Sequence, residues 1–213
     1  MGVKERKERK ERERAQVRAL ILDAAREMFA ADGVDAVTMR AIAERIDYSA
    51  PVIYSHFQDK ETLLQELCYE DFRALGQAFR RIERIDDPVE RLRRIGRAYV
   101  EFALEHPSHY RFMFLTPKTP GIAEKHAALR GNPEEDAYAF LCDTVAEALA
   151  SGRFRPELDD VEELAQVFWA SAHGVVSLQL VKSTDKWIDW RNVRTTSDLL
   201  IDATLRGVLR ESK

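Results

Sequence analysis

Helical spacing between Thr38 and Lys60 leaves Arg40, Ala50, Val52, Tyr54, Ser55 and His56 facing outward. This set combines a guanidinium, hydroxyls, an imidazole and small apolar groups. Such donors suit the phosphate oxygens and base edges of a nucleic-acid duplex, and small apolar side chains suit a thymine methyl. Covalent chemistry has no comparable carrier. The chain has no Gly-x-Ser-x-Gly elbow and no phosphate-binding glycine loop, and Cys142 falls in a helical pattern without a nearby base. His106, His109, His126 and His173 lack the spacing of metal ligands. No catalytic activity, metal or cofactor is expected. Cys68 and Cys142 fit no zinc or disulfide pattern and are read as reduced structural thiols.

The elements that must hold this set are helical throughout, since no run of period-2 alternation interrupts the 3.6-residue pattern. Val17, Leu20, Ile21, Ala24, Ala25, Met28 and Phe29 form one face of a helix that stops at Gly33. Thr38 caps a short helix over 39–45, and Ser49 caps another over 50–56. Ile42 and Ile46 on the first, with Ile53 and Phe57 on the second, are the i, i+4 anchors that clamp the pair against the preceding helix. Asp47 stands where the chain turns between them, a place that often needs positive φ. Further helices are expected from Asp59 towards Ile82 and over 89–105, 108–115, 134–150, 160–181 and 196–210, with Thr116–Gly121 a loop.

Charge is distributed to match. The 213 residues carry a net charge of −4, yet residues 1–18 hold eight basic groups against four glutamates. An acidic body with one basic end attracts DNA at that end alone. The arm from Lys4 to Arg14 has no apolar stripe and is either frayed or a solvent-exposed helical extension. With 45% hydrophobic residues, no uninterrupted apolar stretch of membrane length and no secretory signal, the chain is expected to be cytoplasmic and independent of membranes.

Three blocks carry a family resemblance: Ile21-Leu-Asp-Ala-Ala with Met28-Phe29 and Gly33, then Thr38-Met-Arg-Ala-Ile-Ala-Glu, then Ile53-Tyr54-x-His56-Phe57-x-x-Lys60-Glu61-x-Leu63. Together they resemble the N-terminal domain of the tetracycline-repressor (TetR) family. The resemblance implies a three-helix DNA-binding domain in which Thr38, Tyr54, His56 and Lys60 grip phosphates and Arg40 reaches bases or backbone. Ser49, Ala50 and Val52 complete the expected contact set. Asp47 and Pro51 replace common glycines and Val52 a common threonine, so thymine-methyl contacts from Ala50 or Val52, with Arg40 and the basic arm, are left to choose the sequence.

The rest of the chain reads as a helical bundle with two tasks. The helices at about 160–182 and 196–210 are apolar nearly all round, so one face of each serves the chain's own core and the other a two-fold partner. On the second of these, Asp198, Asp202, Arg206 and Arg210 leave a narrow polar stripe. Phe102, Tyr110, Phe114, Phe140, Trp169 and His173 are the candidates for holding a small-molecule effector. Trp169-x-x-x-His173-Gly174 and Tyr110-Arg-Phe-Met-Phe-Leu resemble the Trp-His-Gly class of TetR-family C-terminal domains. The expectation is an all-α protein with an arm at 1–16, a DNA-binding domain at 17–62 and a ligand-binding and dimerisation domain at 63–213. Its expected role is a dimeric repressor on a palindromic operator, released by an unknown effector. The competing reading is a nucleoid- or protein-interaction module that uses the same DNA-binding domain without responding to ligand.

Overall fold

The computed structural model describes residues 3–82, 85–117, 131–133 and 135–210. Positions 118–121 of the expected loop, and position 134, where a helix was expected to begin, lie outside them. The described residues form nine α-helices, one π-helical turn and no strand, so the chain is all-α. The helices are α1 (Val3–Asp32), α2 (Met39–Arg45), α3 (Ala50–His56), α4 (Lys60–Arg80), α5 (Pro88–Glu105), α6 (Pro107–Tyr110), α7 (Ala137–Ala150), α8 (Val161–Lys182) and α9 (Val193–Val208). The π-helical turn is Arg111–Leu115, which splits the single short helix expected over 108–115.

Two compact units result. Among the described residues the first holds 3–71 and 108–117, and the second holds 72–82, 85–107, 131–133 and 135–210. The boundary expected at 62/63 therefore falls inside α4, and Tyr110 to Leu115 join the first unit. The reason is packing: Phe112 is fully buried beside Ile21, Phe29 and Leu67, its ring 6.0 Å from that of Phe29.

In the first unit Ile21, Ala25, Phe29, Ile42, Ile53 and Leu63 are all fully buried around α1. Gly33 ends α1 at φ +84°, its N–H donating to the Phe29 carbonyl at 3.1 Å. That left-handed conformation is one for which glycine carries no Cβ penalty. The arm is a continuous part of α1. Pairs one turn apart support it, with Lys7 3.9 Å from Glu11 and Arg9 3.4 Å from Glu13; such exposed pairs stabilise a helix by only about 0.3–0.5 kcal/mol each.

The second unit is a bundle in which α5, α7, α8 and α9 pack on one another. Asp87, Asp136, Asp160 and Asn192 each accept backbone N–H groups at the helix starts, which sets α7 at 137 and α9 at 193 rather than at the expected 134 and 196. Gly96 brings α5 close to α9: a Cβ there would lie 2.9 Å from Ile201 Cδ1. Of the polar stripe expected on α9, Arg206 and Arg210 are exposed, and the two part-exposed aspartates pair with α5. Asp198 accepts from Arg97 at 2.6 Å and Asp202 from Arg93 at 2.9 Å, both on α5, while Leu199 is left 70% exposed. Among the described residues one helix, α8, is long and apolar enough to cross a membrane by length and composition. It packs on α5, α7 and α9 through Leu164, Ala165, Ala172 and Val176.

Candidate functional site

The turn between α2 and α3 is built from local bonds. Thr38 Oγ1 accepts the Ala41 N–H at 3.1 Å and starts α2, keeping its own proton free to donate elsewhere. At the far end Tyr48 N–H reaches the Ala43 carbonyl at 2.9 Å and Asp47 N–H the Glu44 carbonyl at 3.3 Å, a Schellman closure. Asp47 occupies the left-handed position at φ +56°, and no other described non-glycine residue has positive φ. A short acidic side chain tolerates this conformation better than a branched one. Ile42, Ile53 and Phe57 lie in the core with Ile46 packed against it, so the clamp expected from their spacing is present.

Ser49 takes the extended backbone of a capping residue but makes no side-chain cap bond, which corrects its expected role. The second amide of α3 belongs to Pro51, which has no proton, and the third, Val52 N–H, is taken by the Ser49 carbonyl at 2.9 Å. Ser49 is exposed, and its hydroxyl is not spent on the helix start.

The expected contact residues share the surface of this unit unequally. Tyr54 is 52% exposed. Thr38 and Arg40 are exposed, and Arg40 carries only a surface pair to Glu44 at 3.1 Å, which holds it weakly. Val52 is half-buried and Ala50 packs against the core, so Ala50 offers little of its methyl outward. Asp59 Oδ1 caps α4 by accepting Thr62 N–H at 2.7 Å, and Lys60 follows with its ammonium 6.0 Å from the centre of the Phe29 ring. Ammonium and helix N-terminus thus add at one place on the surface. Burial pushes His56 below the usual imidazole range, and the Arg14 and Arg18 guanidiniums push the same way. Arg14 was not singled out from sequence. Its Nη2 lies 3.4 Å from the Ser55 carbonyl, and the only signal for it was its place in the charged arm.

Elsewhere in this unit a charged cluster joins three segments. Asp71 is fully buried and receives Arg26 Nε at 2.9 and 3.1 Å and Nη2 at 2.9 Å, with His109 Nδ1 2.9 Å away. Sequence spacing gave no hint of it, because the partners come from α1, α4 and α6.

The effector candidates divide. Tyr110, fully buried, and Phe114 belong to the first unit with ring centres 5.0 Å apart. Phe102, Phe140, Trp169 and His173 belong to the second. There Trp169 Nε1 donates to Tyr99 Oη at 3.2 Å, and that hydroxyl lies 3.0 Å from His173 Nδ1. Burial lowers the His173 pKa, so its neutral form is favoured and can accept the tyrosine proton. The Trp169 ring also meets Tyr138 at 5.8 Å, whose hydroxyl donates to Glu162 at 2.7 Å. Burial, then the Glu162 bond, pushes Tyr138 up to about 12. Phe140 packs on Phe79 at 6.3 Å, and Phe102 on His106 at 5.3 Å. Tyr138 and Glu162, 24 positions apart, escaped the sequence reading of this site, and the pairing of Tyr99 with Trp169 and His173, 70 and 74 positions away, was equally hidden.

A capped helix, a Schellman turn and a second helix exposing donors define a helix-turn-helix DNA-binding regulator. The model for bacterial regulatory proteins of the tetR family matches residues 21–67, and that for the tetracyclin repressor-like C-terminal domain matches 92–204. The chain belongs to the tetR family of bacterial regulatory proteins, whose members are transcriptional regulators. It is 29% identical over 96 residues to the HTH-type transcriptional regulator YobS of Bacillus subtilis, covering 43% of this chain and 48% of that one. It is 32% identical over 88 residues to the HTH-type transcriptional regulator UidR of Escherichia coli K12, covering 41% and 39%. The matches therefore span less than half of those relatives. To the HTH-type transcriptional repressor KstR2 of Mycobacterium tuberculosis it is 28% identical over 145 residues, covering 67% of this chain and 71% of that one. The solved structure of KstR2, titled a ketosteroid transcriptional regulator, shares the fold at a TM-score of 0.66 and 22% identity, covering 91% and 95%.

Proposed function

We propose that this protein represses transcription as a homodimer on a palindromic DNA operator and is released by a small-molecule effector. The observation that carries the reading is the α2–α3 turn, whose apolar anchors are all inward and whose donors at Thr38, Tyr54, His56 and Lys60 lie on or near the surface. In this reading those four bind phosphates, while Arg40, Ser49 and Val52 reach base edges with a smaller part for Ala50. Two copies are needed because half-sites one helical turn apart, about 34–36 Å, require two recognition helices. In this reading the effector contacts Phe102, Phe140, Trp169 and His173, all of the second unit. A hydrogen-bonded Trp169–Tyr99–His173 chain beside the Tyr138 ring supports a largely apolar molecule with a polar group as the effector. The printed role of KstR2 makes ketosteroids the first class to screen. To invert occupancy from 99:1 to 1:99, the effector must prefer the released state by about 5.5 kcal/mol.

Selection of bound fragments from random duplex DNA, repeated with a metabolite mixture, tests the whole reading. A palindrome should be enriched and then released. Binding without sequence enrichment would favour the nucleoid-type module instead.

Two variants test the contacts. Lys60→Ala should weaken binding to all sequences and lower the slope of log affinity against log salt by about one; an unchanged slope removes Lys60 from the phosphates. His56 has a different signature. Burial, with the Arg14 and Arg18 guanidiniums, holds its imidazole below the usual range and favours the neutral form, and a phosphate beside it pushes the pKa back up. DNA binding then takes up a proton, and affinity should rise as pH falls through the imidazole range. The measurement is Kd across that range at fixed ionic strength, where His56→Gln should flatten the profile. An identical profile in the variant would place the proton uptake elsewhere.

A further inference from the structure

Because the arm is an unbroken extension of α1, its side chains have a fixed angular order. At about 100° per residue, Arg6, Lys7, Lys10, Arg14 and Arg18 fall within about 120° of the helix circumference, and no carboxylate shares that arc. The remaining arc carries Lys4, Arg9 and Arg12 interleaved with Glu5, Glu8, Glu11 and Glu13. The arm is basic on one side and balanced on the other, although its composition reads as a uniform mixture.

The body of the first unit shows which way the basic side faces. Further along α1 the same arc carries Val17, Ile21, Ala24 and Ala25, the last three buried against the DNA-binding core. Arg18 stacks over the Phe57 ring at 5.5 Å and donates to Glu66 at 2.8 Å. One turn earlier, Arg14 reaches the Ser55 carbonyl near the end of α3. The effect of Arg14 and Arg18 on His56 is the electrostatic trace of the same placement. The basic file therefore begins beside the recognition helix and runs away from the core along Arg14, Lys10, Lys7 and Arg6.

We infer that the arm is a rigid helical rail for duplex DNA, with Arg6, Lys7, Lys10 and Arg14 lying along the sugar–phosphate backbone that flanks the groove entered by α3. The inference rests on the DNA-binding reading above and deepens it. From Val3 to Arg14 the rail is about 18 Å long at 1.5 Å per residue, roughly half a helical turn of duplex. Its contacts read charge, so they add affinity and extend the footprint without choosing sequence. The glutamates on the other side keep the free arm from collecting anions all round.

Two full-length variants of equal charge separate a rail from a diffuse basic tail: Arg6→Gln/Lys10→Gln/Arg14→Gln on the file, and Lys4→Gln/Arg9→Gln/Arg12→Gln off it. Glutamine keeps the helix, which circular dichroism checks. On a mixed-sequence duplex the first should lose about 2–3 units of salt slope, at about 0.9 per phosphate, and bind at least about tenfold more weakly at moderate salt. The second should change the slope by less than about one unit. Equal losses in both variants, or no loss in either, overturn the rail. So does a file variant that loses binding to vesicles containing phosphatidylserine while keeping its duplex binding, since the partner would then be an anionic membrane surface. If Lys60→Ala lowers the slope and the file variant does not, only the rail fails. If the wild-type protein binds no duplex, the function proposed above fails with it.

Discussion

Asp71→Ala is expected to destabilise the folded chain by about 3–5 kcal/mol, read as a lower urea midpoint at unchanged slope. Asp71 is 0% exposed and Arg26 only 4%, so neither charge has water to fall back on. Removing the carboxylate leaves a buried guanidinium with one remaining partner, Asp23 at 2.6 Å, whose own side chain is 68% exposed and screened. It also takes from His109 the oxygen 2.9 Å from its Nδ1. By contrast the Arg18 pairs with Glu66 and Glu70, each partner more than a third exposed, should each contribute less than about 1 kcal/mol. The control removes both charges: Arg26→Met with Asp71→Leu should recover most of the loss, because an apolar pair of similar volume has no desolvation to repay. A single variant within about 1 kcal/mol of wild type would mean that water reaches the cluster. Asp71 is the last residue of the first unit along α4, and His109 is the second residue after the chain re-enters it at Ser108. One buried carboxylate thus ties the ends of both segments of the first unit to α1, and Asp71→Asn, which keeps the shape, should lose part of the stability that Asp71→Ala loses.

What sequence could show here was what neighbours in the chain decide. Ile42, Ile46, Ile53 and Phe57 announce their clamp through i, i+4 spacing, Asp47 its left-handed turn, and Gly33 its helix end, because each is a matter of a few adjacent residues. Ser49 failed as a cap for an equally local reason: the proline two positions on was read as a departure from a family pattern, not as a missing amide donor. The long-range pairs were hidden. Arg26 and Asp71 are 45 positions apart, Trp169 and Tyr99 are 70 apart, and no periodicity links residues on different helices. The α9 stripe shows the same limit from another side. Asp198 and Asp202 look solvent-facing until Arg97 and Arg93 of α5 are known to stand opposite them. The aromatic segment from Tyr110 to Leu115 was assigned by resemblance to the larger part of the chain, but its packing partners, Phe29 among them, lie in the smaller.

The pairing of Asp198 and Asp202 with α5 leads to the second large effect. Turning Asp198 and Asp202 towards α5 leaves Leu199 exposed on α9, and α8 has a matching face. Val167, Ala170, Gly174, Leu178 and Val181 recur at spacings of three and four, with Val167 44%, Leu178 55% and Val181 52% exposed. Neither Gly174 on α8 nor Gly207 on α9 is required by packing within the chain, since a Cβ at either would meet nothing within 4 Å. A second copy laid against the two helices would bury these apolar side chains, and the glycines would let its backbone come close. For the homodimer proposed above, Leu178→Lys combined with Leu199→Lys should therefore convert a two-chain particle into a one-chain particle in sedimentation equilibrium. Circular dichroism should stay unchanged, because both side chains are already outside the core. The loss on a palindromic duplex should be far larger than for any single contact residue. Linking two half-site readers raises apparent affinity by about 10²–10⁴-fold, so the monomer should fall by that factor on the palindrome while keeping its affinity for an isolated half-site. A wild-type chain that sediments as a monomer at micromolar concentration, or a double variant that still pairs, would move the two-fold contact off α8 and α9.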